Sequence, residues 1–254
     1  MTEIQKKIYN SFFRGDSKKL YEYLKDKKPE IHFDYDEIEK EAHDKAFTVA
    51  KITKIDLLND IQKSLAEASK NGVGFEEWKK NIKPTLAKKG WLGNVEVTNP
   101  KTLESKNIYV GNRRLKTIYS TNMQVARAKG RYESQIDSFG EYFVYIAVMD
   151  SLTRPAHAKH HMTILPKNHT FWDTHYPPNA YNCRCTVRVY TESELKNRGW
   201  TPSNKAPSDF AHKDWAYNPG KTNNMNDVWD DKIKRIEDKN LRNKAKDEKN
   251  KNGK

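Results

Sequence analysis

Both cysteines of this chain, Cys183 and Cys185, and five of its eight histidines lie between Asp150 and Val189. The segment reads D-S-L-T-R-P-A-H at 150–157, F-W-D-T-H-Y-P-P-N at 171–179 and N-C-R-C-T-V at 182–187. Thiolate and imidazole are the donors that zinc prefers, so His157, Cys183 and Cys185 form a candidate metal set. A fourth donor could come from His160, His161, His169 or His175. The spacing is not that of a usual structural zinc site, which pairs cysteines with two to four residues between them; here there is one. On a regular strand the two sulfurs would share a face but stand ~6.6 Å apart, at ~3.3 Å per residue. A shared ion therefore requires a bent backbone.

Other chemistries compete for the same residues. A Cys183–Cys185 disulfide would close a strained ring, and a cytoplasmic compartment would keep it reduced. A Cys–His pair could serve as nucleophile and base, with Arg184 stabilising an anion. Yet His157 and His161 lack the intervening glutamate of H-E-x-x-H. The plainest reading is structural: cysteine as a small buried apolar group, Phe171 and Trp172 filling a core, and Pro177-Pro178 stiffening a turn. In this reading Asp150 pairs with Arg154 or Arg184.

These residues need elements to hold them. Glu141–Met149 is aromatic and β-branched, the composition of a mostly buried strand. Arg184–Tyr190 alternates polar and apolar positions, which predicts a second strand with one wet face. Helices dominate elsewhere. Tyr35, Ile38, Ala42, Ala46 and Phe47 approach helical spacing, and Pro29 separates that helix from one before it. Thr53 to Asp56 reads as a capping box opening a helix whose apolar face is Leu57, Leu58, Ile61, Leu65 and Ala68, closed by Asn71-Gly72. Phe75, Trp78, Ile82 and Leu86 form the next stripe, interrupted at Pro84. This helical hairpin could be a DNA-reading helix-turn-helix, but plain packing explains it as well. Residues 94–110 read as extended or looped. Leu115, Ile118, Tyr119, Asn122, Met123 and Ala126 predict a helix ending near Gly130. Thr191–Glu194 caps a short helix, the polar chain after Pro202 reads as an extended arm, and 228–248 as a solvated helix. The fold class is α+β: mainly helical, with a small β-sheet around the Cys/His segment, an extended C-terminal arm and a basic tail.

Apolar residues make up 35% of the 254 and charged residues 32%, so the core is modest for the length. Six Trp, 13 Tyr and nine Phe argue against a disordered chain. The net charge of +13 favours anionic surroundings such as nucleic acid. Residues 231–254 hold ten Lys/Arg against five Asp/Glu, a surplus of +5. No apolar run reaches the ~20 residues of a membrane span. The M-T-E-I-Q-K-K start lacks the apolar core of a signal peptide. Synthesis in a cytoplasm is expected.

The three ordered motifs at 150–157, 171–179 and 182–187 resemble those of the phage Mu F-type head morphogenesis proteins, also called minor head or minor capsid proteins. F-T-V-A-K-I-T-K-I-D-L-L (47–58), F-E-E-W-K-K (75–80), K-G-W-L-G (89–93), Y-S-T-N-M-Q-V-A-R-A-K-G-R-Y (119–132) and Y-N-P-G-K (217–221) extend the likeness. The resemblance implies an N-terminal helical arm over 1–50, a Mu F-like head morphogenesis domain over 51–200, and an extended arm with a basic helical tail over 201–254. It implies a non-enzymatic component of the virion head interior, made in the bacterial host cytoplasm. Its partners would be the portal protein and capsid or scaffold components, with packaged double-stranded DNA met by the basic tail. Some relatives carry a C-x-x-C where this chain has Arg154-Pro155-Ala156-His157, which with C-R-C would make a four-cysteine zinc site. Here His157 occupies one of those upstream positions, and Arg154 cannot replace the other. The structural motif residues carried over are Asp150, Arg154, Trp172, Pro177, Pro178, Asn182 and Arg184. Some relatives add a toxin domain after this region; the short basic tail here implies none. Two other readings remain: a zinc-ribbon-like nucleic-acid-binding module, and a nuclease using His157, His161 and Arg184.

Overall fold

Apolar side chains at helical spacing assemble the first core. The computed structural model describes residues 17–34, 46–208 and 210–221. Helix α1 (Ser17–Asp26) leads through a short strand β1 (Lys28–Pro29), which pairs in parallel with β2 (Ala46–Phe47). Ala46 and Phe47 are thus strand rather than helix. They are buried consecutively, against the core, in the manner of a strand covered on both faces. Most of the helix expected over 35–47 lies outside the described residues.

Helix α2 (Ile55–Asn71) buries Leu57, Leu58, Ile61 and Leu65, and α3 (Phe75–Lys88) buries Trp78, Ile82 and Leu86. Gly72, at φ 66°, ends α2 by returning its N–H to the Ala68 carbonyl. The expected capping box is absent: Lys54 is the N-cap and no side chain caps the helix. Thr53 therefore sits one residue too early, and the Asp56 carboxylate goes to Lys89 instead, at 2.7 Å. Pro84 lies inside α3 without ending it. It is exposed, so the carbonyl it leaves unpaired can meet water.

The stretch read as extended or looped is an antiparallel hairpin, β3 (Gly93–Thr98) with β4 (Ser105–Val110). Helix α4 then runs from Asn112 to Ile136, well past Gly130. Gly130 lies within the helix without ending it, and a Cβ there would meet the Leu20 side chain at an ordinary contact distance of 3.5 Å. Leu115, Ile118 and Met123 of α4 join the α1–α3 core, while Ala128 and Tyr132 join a second one. The helix is roughly 37 Å long at ~1.5 Å per residue and serves as the beam between the two.

The second core surrounds a three-stranded antiparallel sheet ordered β6-β5-β7, with β5 (Tyr142–Ile146) between β6 (Ile164–Pro166) and β7 (Thr186–Tyr190). Phe143 and Tyr145 face one apolar cluster and Val144 faces another, which explains why the strand reads as an unbroken apolar run. Three short helices decorate the sheet: α5 (Pro155–Ala158), α6 (Phe171–His175) and α7 (Glu192–Asn197). The capping box expected on α7 is present, with Thr191 accepting from the Glu194 N–H. Residues 201–208 and 210–221 have little regular structure, yet Trp215 is fully buried and Asn218 nearly so. The chain is a mainly helical α+β protein. The solvated helix expected over 228–248 lies outside the described residues.

Candidate metal centre

Two braces bring the separate motifs together. The Arg184 guanidinium grips Asp150 with both ends, at 2.7 and 2.5 Å, and also donates to the Thr153 hydroxyl at 3.2 Å. Arg154 does not pair with Asp150; it donates to the Tyr181 carbonyl at 2.9 Å. Each arginine thus ties the 150–157 segment to the 181–185 segment. Arg184 also holds the Asp150 carboxyl down to about 2, with the Leu152 N–H and the Thr153 hydroxyl acting the same way.

Between the braces the backbone bends. Asn182 takes φ 58°, and regular strand begins only at Thr186, two residues later than the alternation predicts. This bend removes the strand-like separation of the sulfurs. The Sγ atoms of Cys183 and Cys185 and a ring nitrogen of His157 all lie within 4.8 Å of one another. His157, supplied by α5, places Nδ1 at 3.5 Å from Cys183 Sγ and 3.6 Å from Cys185 Sγ. Tetrahedral zinc with bonds of ~2.3 Å to sulfur and ~2.0–2.1 Å to nitrogen needs S···N separations of about 3.5 Å. The three residues therefore fit the ion. Metal content distinguishes the bound centre from one held by S–H···N hydrogen bonds, which the same distances also suit.

The surroundings favour a thiolate at Cys183. Its pKa is lowered, chiefly by the Cys185 thiol and then by His157 and the N–H groups of Asn179 and Cys185, against the opposing effect of burial. Cys185 is correspondingly pushed up, by the Cys183 sulfur first and by burial second. The Tyr145 hydroxyl interacts with Cys185 and also donates to Asn179 Oδ1, at 3.1 Å. Tyr145 and Asn179 are both fully buried. Sequence reasoning named neither as part of the site. Tyr145 was legible only as a buried strand residue, and Asn179 only as the end of F-W-D-T-H-Y-P-P-N.

The other histidines have different work. His161 Nδ1 accepts from the Ala147 N–H, His169 Nδ1 from the Phe171 N–H, and His175 Nε2 from the Phe210 N–H. His160 stacks on Phe210 with centroids 4.0 Å apart. Among the described residues the group able to hold a metal consists of His157, Cys183 and Cys185. Phe210 also packs against His157 and Tyr145, each at 5.7 Å, so the arm read as extended covers the centre.

The remaining motif residues build the support. Trp172 is fully buried, packs edge-on to Phe143 at 5.6 Å, and donates from Nε1 to the Pro166 carbonyl at 3.0 Å. Pro177 and Pro178 are joined by a cis peptide and lie within a wholly buried run from His175 to Ala180.

Fold and site together define a helix-and-sheet protein whose sulfur–nitrogen centre is buried and braced by two arginines. The family described as "Phage Mu protein F like protein" matches residues 59–188, about half the chain, and this chain belongs to that family. It is 37% identical over 185 residues to the putative capsid assembly protein F of Escherichia phage Mu, covering 72% of this chain and 42% of that protein. It is 38% identical over 168 residues to the Mu-like prophage FluMu F protein of Haemophilus influenzae, covering 65% of this chain and 39% of that protein. The chain thus spans about two fifths of the length of these curated relatives. No solved structure matches it.

Proposed function

We propose that this protein is a minor head component of a phage or prophage, acting in head morphogenesis by docking on the portal inside the capsid. In this reading His157, Cys183 and Cys185 hold a structural zinc. Membership of the Mu F-like family carries the proposal, since the relative from phage Mu is named a capsid assembly protein.

The geometry supports a structural rather than a catalytic centre. His157 and Cys183 are 3% and 4% exposed, and Phe210 covers the imidazole. A Cys–His pair acting on nucleic acid needs substrate access that this arrangement denies. Zinc bound here would supply folding energy, linking α5 to the bend before β7. Among the described residues no helix is long and apolar enough to cross a membrane. The surplus of +5 over residues 231–254 supports contact with packaged DNA by phosphate neutralisation.

The test is co-expression with the portal protein of a Mu-like phage. Co-purification as a defined complex is expected; a chain that never associates with portal or procapsid defeats the head-docking proposal. Metal analysis of the purified chain should find about one zinc per chain, lost in Cys183→Ser. Zinc well below that level removes the metal and leaves the hydrogen-bonded cluster. Duplex DNA binding should weaken as salt is raised, and a salt-independent interaction contradicts the phosphate contact.

A further inference from the structure

Tyr145 and Asn179 are both fully buried and stand beside the two sulfurs without belonging to the donor set. The Asn179 N–H donates to Cys183, and its Oδ1 accepts from the Tyr145 hydroxyl at 3.1 Å. The same hydroxyl is hydrogen-bonded to Cys185. One path, Cys183–Asn179–Tyr145–Cys185, thus joins the sulfurs through two residues that water does not reach.

The Tyr145 ring is held in place. It stands in β5 opposite Val187, two positions after Cys185, and Phe210 packs edge-on against it at 5.7 Å. The hydroxyl hydrogen can still rotate. A hydroxyl has one hydrogen to give, and this one has two neighbours that can take it, Asn179 Oδ1 and the Cys185 sulfur.

Which neighbour takes it depends on Cys185. As a thiol, Cys185 can donate to Tyr145 Oη while the hydroxyl donates to Asn179 Oδ1. That chain leaves Asn179 Nδ2, buried, with no partner among the described residues. A metal binds the thiolate, which has no hydrogen to give. The chain then runs the other way. The Asn179 amide turns, Nδ2 takes the place of Oδ1 and donates to Tyr145 Oη, and the hydroxyl donates to the sulfur. Amide oxygen and nitrogen are nearly the same size, so the turn needs no new space. It exchanges an unpartnered N–H group for an unpartnered carbonyl oxygen, the more tolerable of the two.

We infer that Tyr145 is a positioning residue of the zinc centre: its hydroxyl donates to the metal-bound thiolate of Cys185, and Asn179 holds that hydroxyl in line. The inference rests on the zinc reading above and adds the residues, beyond the three donors, that set the affinity. A thiolate ligand concentrates negative charge, and a hydrogen bond from a fixed donor stabilises it. Burial makes the bond count, since no water replaces it when it is lost.

The test uses the full-length chain with Tyr145→Phe, Asn179→Ala and the double variant, each titrated with zinc and with cobalt(II) against a competing chelator. Tyr145→Phe should weaken zinc binding by about tenfold or more, while the metal-free chain stays folded by circular dichroism. In the cobalt form its thiolate-to-metal charge-transfer band should move to lower energy, because a sulfur that loses a hydrogen bond gives up electrons more readily. Because Asn179 acts through Tyr145, the double variant should bind zinc no more weakly than Tyr145→Phe alone. If Asn179→Ala does not fold, the affinity and band of Tyr145→Phe still decide. A wild-type chain that binds one zinc, with Tyr145→Phe binding it equally, overturns the inference and leaves the zinc reading standing. Weaker binding with an unmoved band means that Tyr145 only packs, and overturns it as well. So do losses that add in the double variant. A wild-type chain that takes up neither metal removes the zinc reading, and the inference with it.

Discussion

The two cores of this protein are built by different means. The core of α1 to α3 and the first half of α4 is mostly aliphatic and repeats at helical period, with Leu58 and Leu65 fully buried. The core around β5 is mostly aromatic. Tyr132, Phe143, Trp172 and Tyr176 meet there at centroid separations of 5.1 to 6.2 Å. Its joints are made between residues distant in sequence: Gln135 donates to the Val187 carbonyl, Tyr176 to Gln135, and Asn218 to the Trp172 carbonyl, each at 2.8 Å. A helical core tolerates independent small errors, because each side chain contributes its own burial. A core of interlocked rings and long-range polar bonds fails more collectively, and it is there that the candidate metal ligands sit.

The sharpest test of that contrast is a pair of truncations. Trp172→Ala removes a fully buried indole together with its bond to Pro166, and should cost about 3–5 kcal/mol. Leu58→Ala removes an equally buried aliphatic chain and should cost about 2–5 kcal/mol. Because α4 contributes to both cores, urea unfolding should remain one transition by far-ultraviolet circular dichroism and by tryptophan fluorescence. If Trp172→Ala separates the two signals, the sheet region is a unit that opens on its own, and α4 does not bind the two halves into one.

The same contrast decides what could be read from the sequence. Leu57, Leu58, Ile61 and Leu65 declare α2 because a helix brings local neighbours onto one face. The N-terminus of α2 was misread by one residue, since Thr53 and Asp56 have capping chemistry but the wrong register. Gly130 does not stop α4, because buried Tyr132 beyond it joins the second core, a contact that no local pattern reports. In the sheet region the donors His157, Cys183 and Cys185 were legible by type, but their convergence was not. It depends on the bend at Asn182 and on two arginine braces spanning 27 and 34 positions. Tyr145, Asn179 and Phe210 escaped notice for the same reason: nothing local in their sequence reports a contact made across the fold.

A smaller effect probes the helical side on its own polar ground. Gln62 is 5% exposed and donates from Nε2 to the carbonyls of Leu24 and Lys27, which lie at the end of α1 and just beyond it. It staples residues 38 and 35 positions apart, as the long-range bonds of the other core do. Gln62→Leu fills similar space but strands those carbonyls, and should cost about 1–3 kcal/mol in the same urea experiment. A neutral result would show that water reaches the end of α1, and that the aliphatic packing of Leu20 and Leu24 suffices to hold the helix.

The smallest effect bears on the centre most directly. Asp150 and Arg184 are partly exposed, 40% and 37% at the side chain, so their pairing adds little to global stability and is weakened further by salt. The pair nevertheless ties the residue between Cys183 and Cys185, just after the bend at Asn182, to Asp150. With its folded pKa lowered to about 2, against ~3.9 when unfolded, Asp150 contributes stability that is present above ~pH 4 and lost as pH falls through 2. A carboxyl titration followed by nuclear magnetic resonance should place its midpoint near 2. Asp150→Asn should then leave the unfolding midpoint almost unchanged while reducing zinc affinity, because the ligands lose alignment without losing burial. A midpoint near 4 with unaltered zinc affinity would mean that the bend at Asn182 is set by the buried run before it, from His175 to Ala180, and that the arginine brace merely follows.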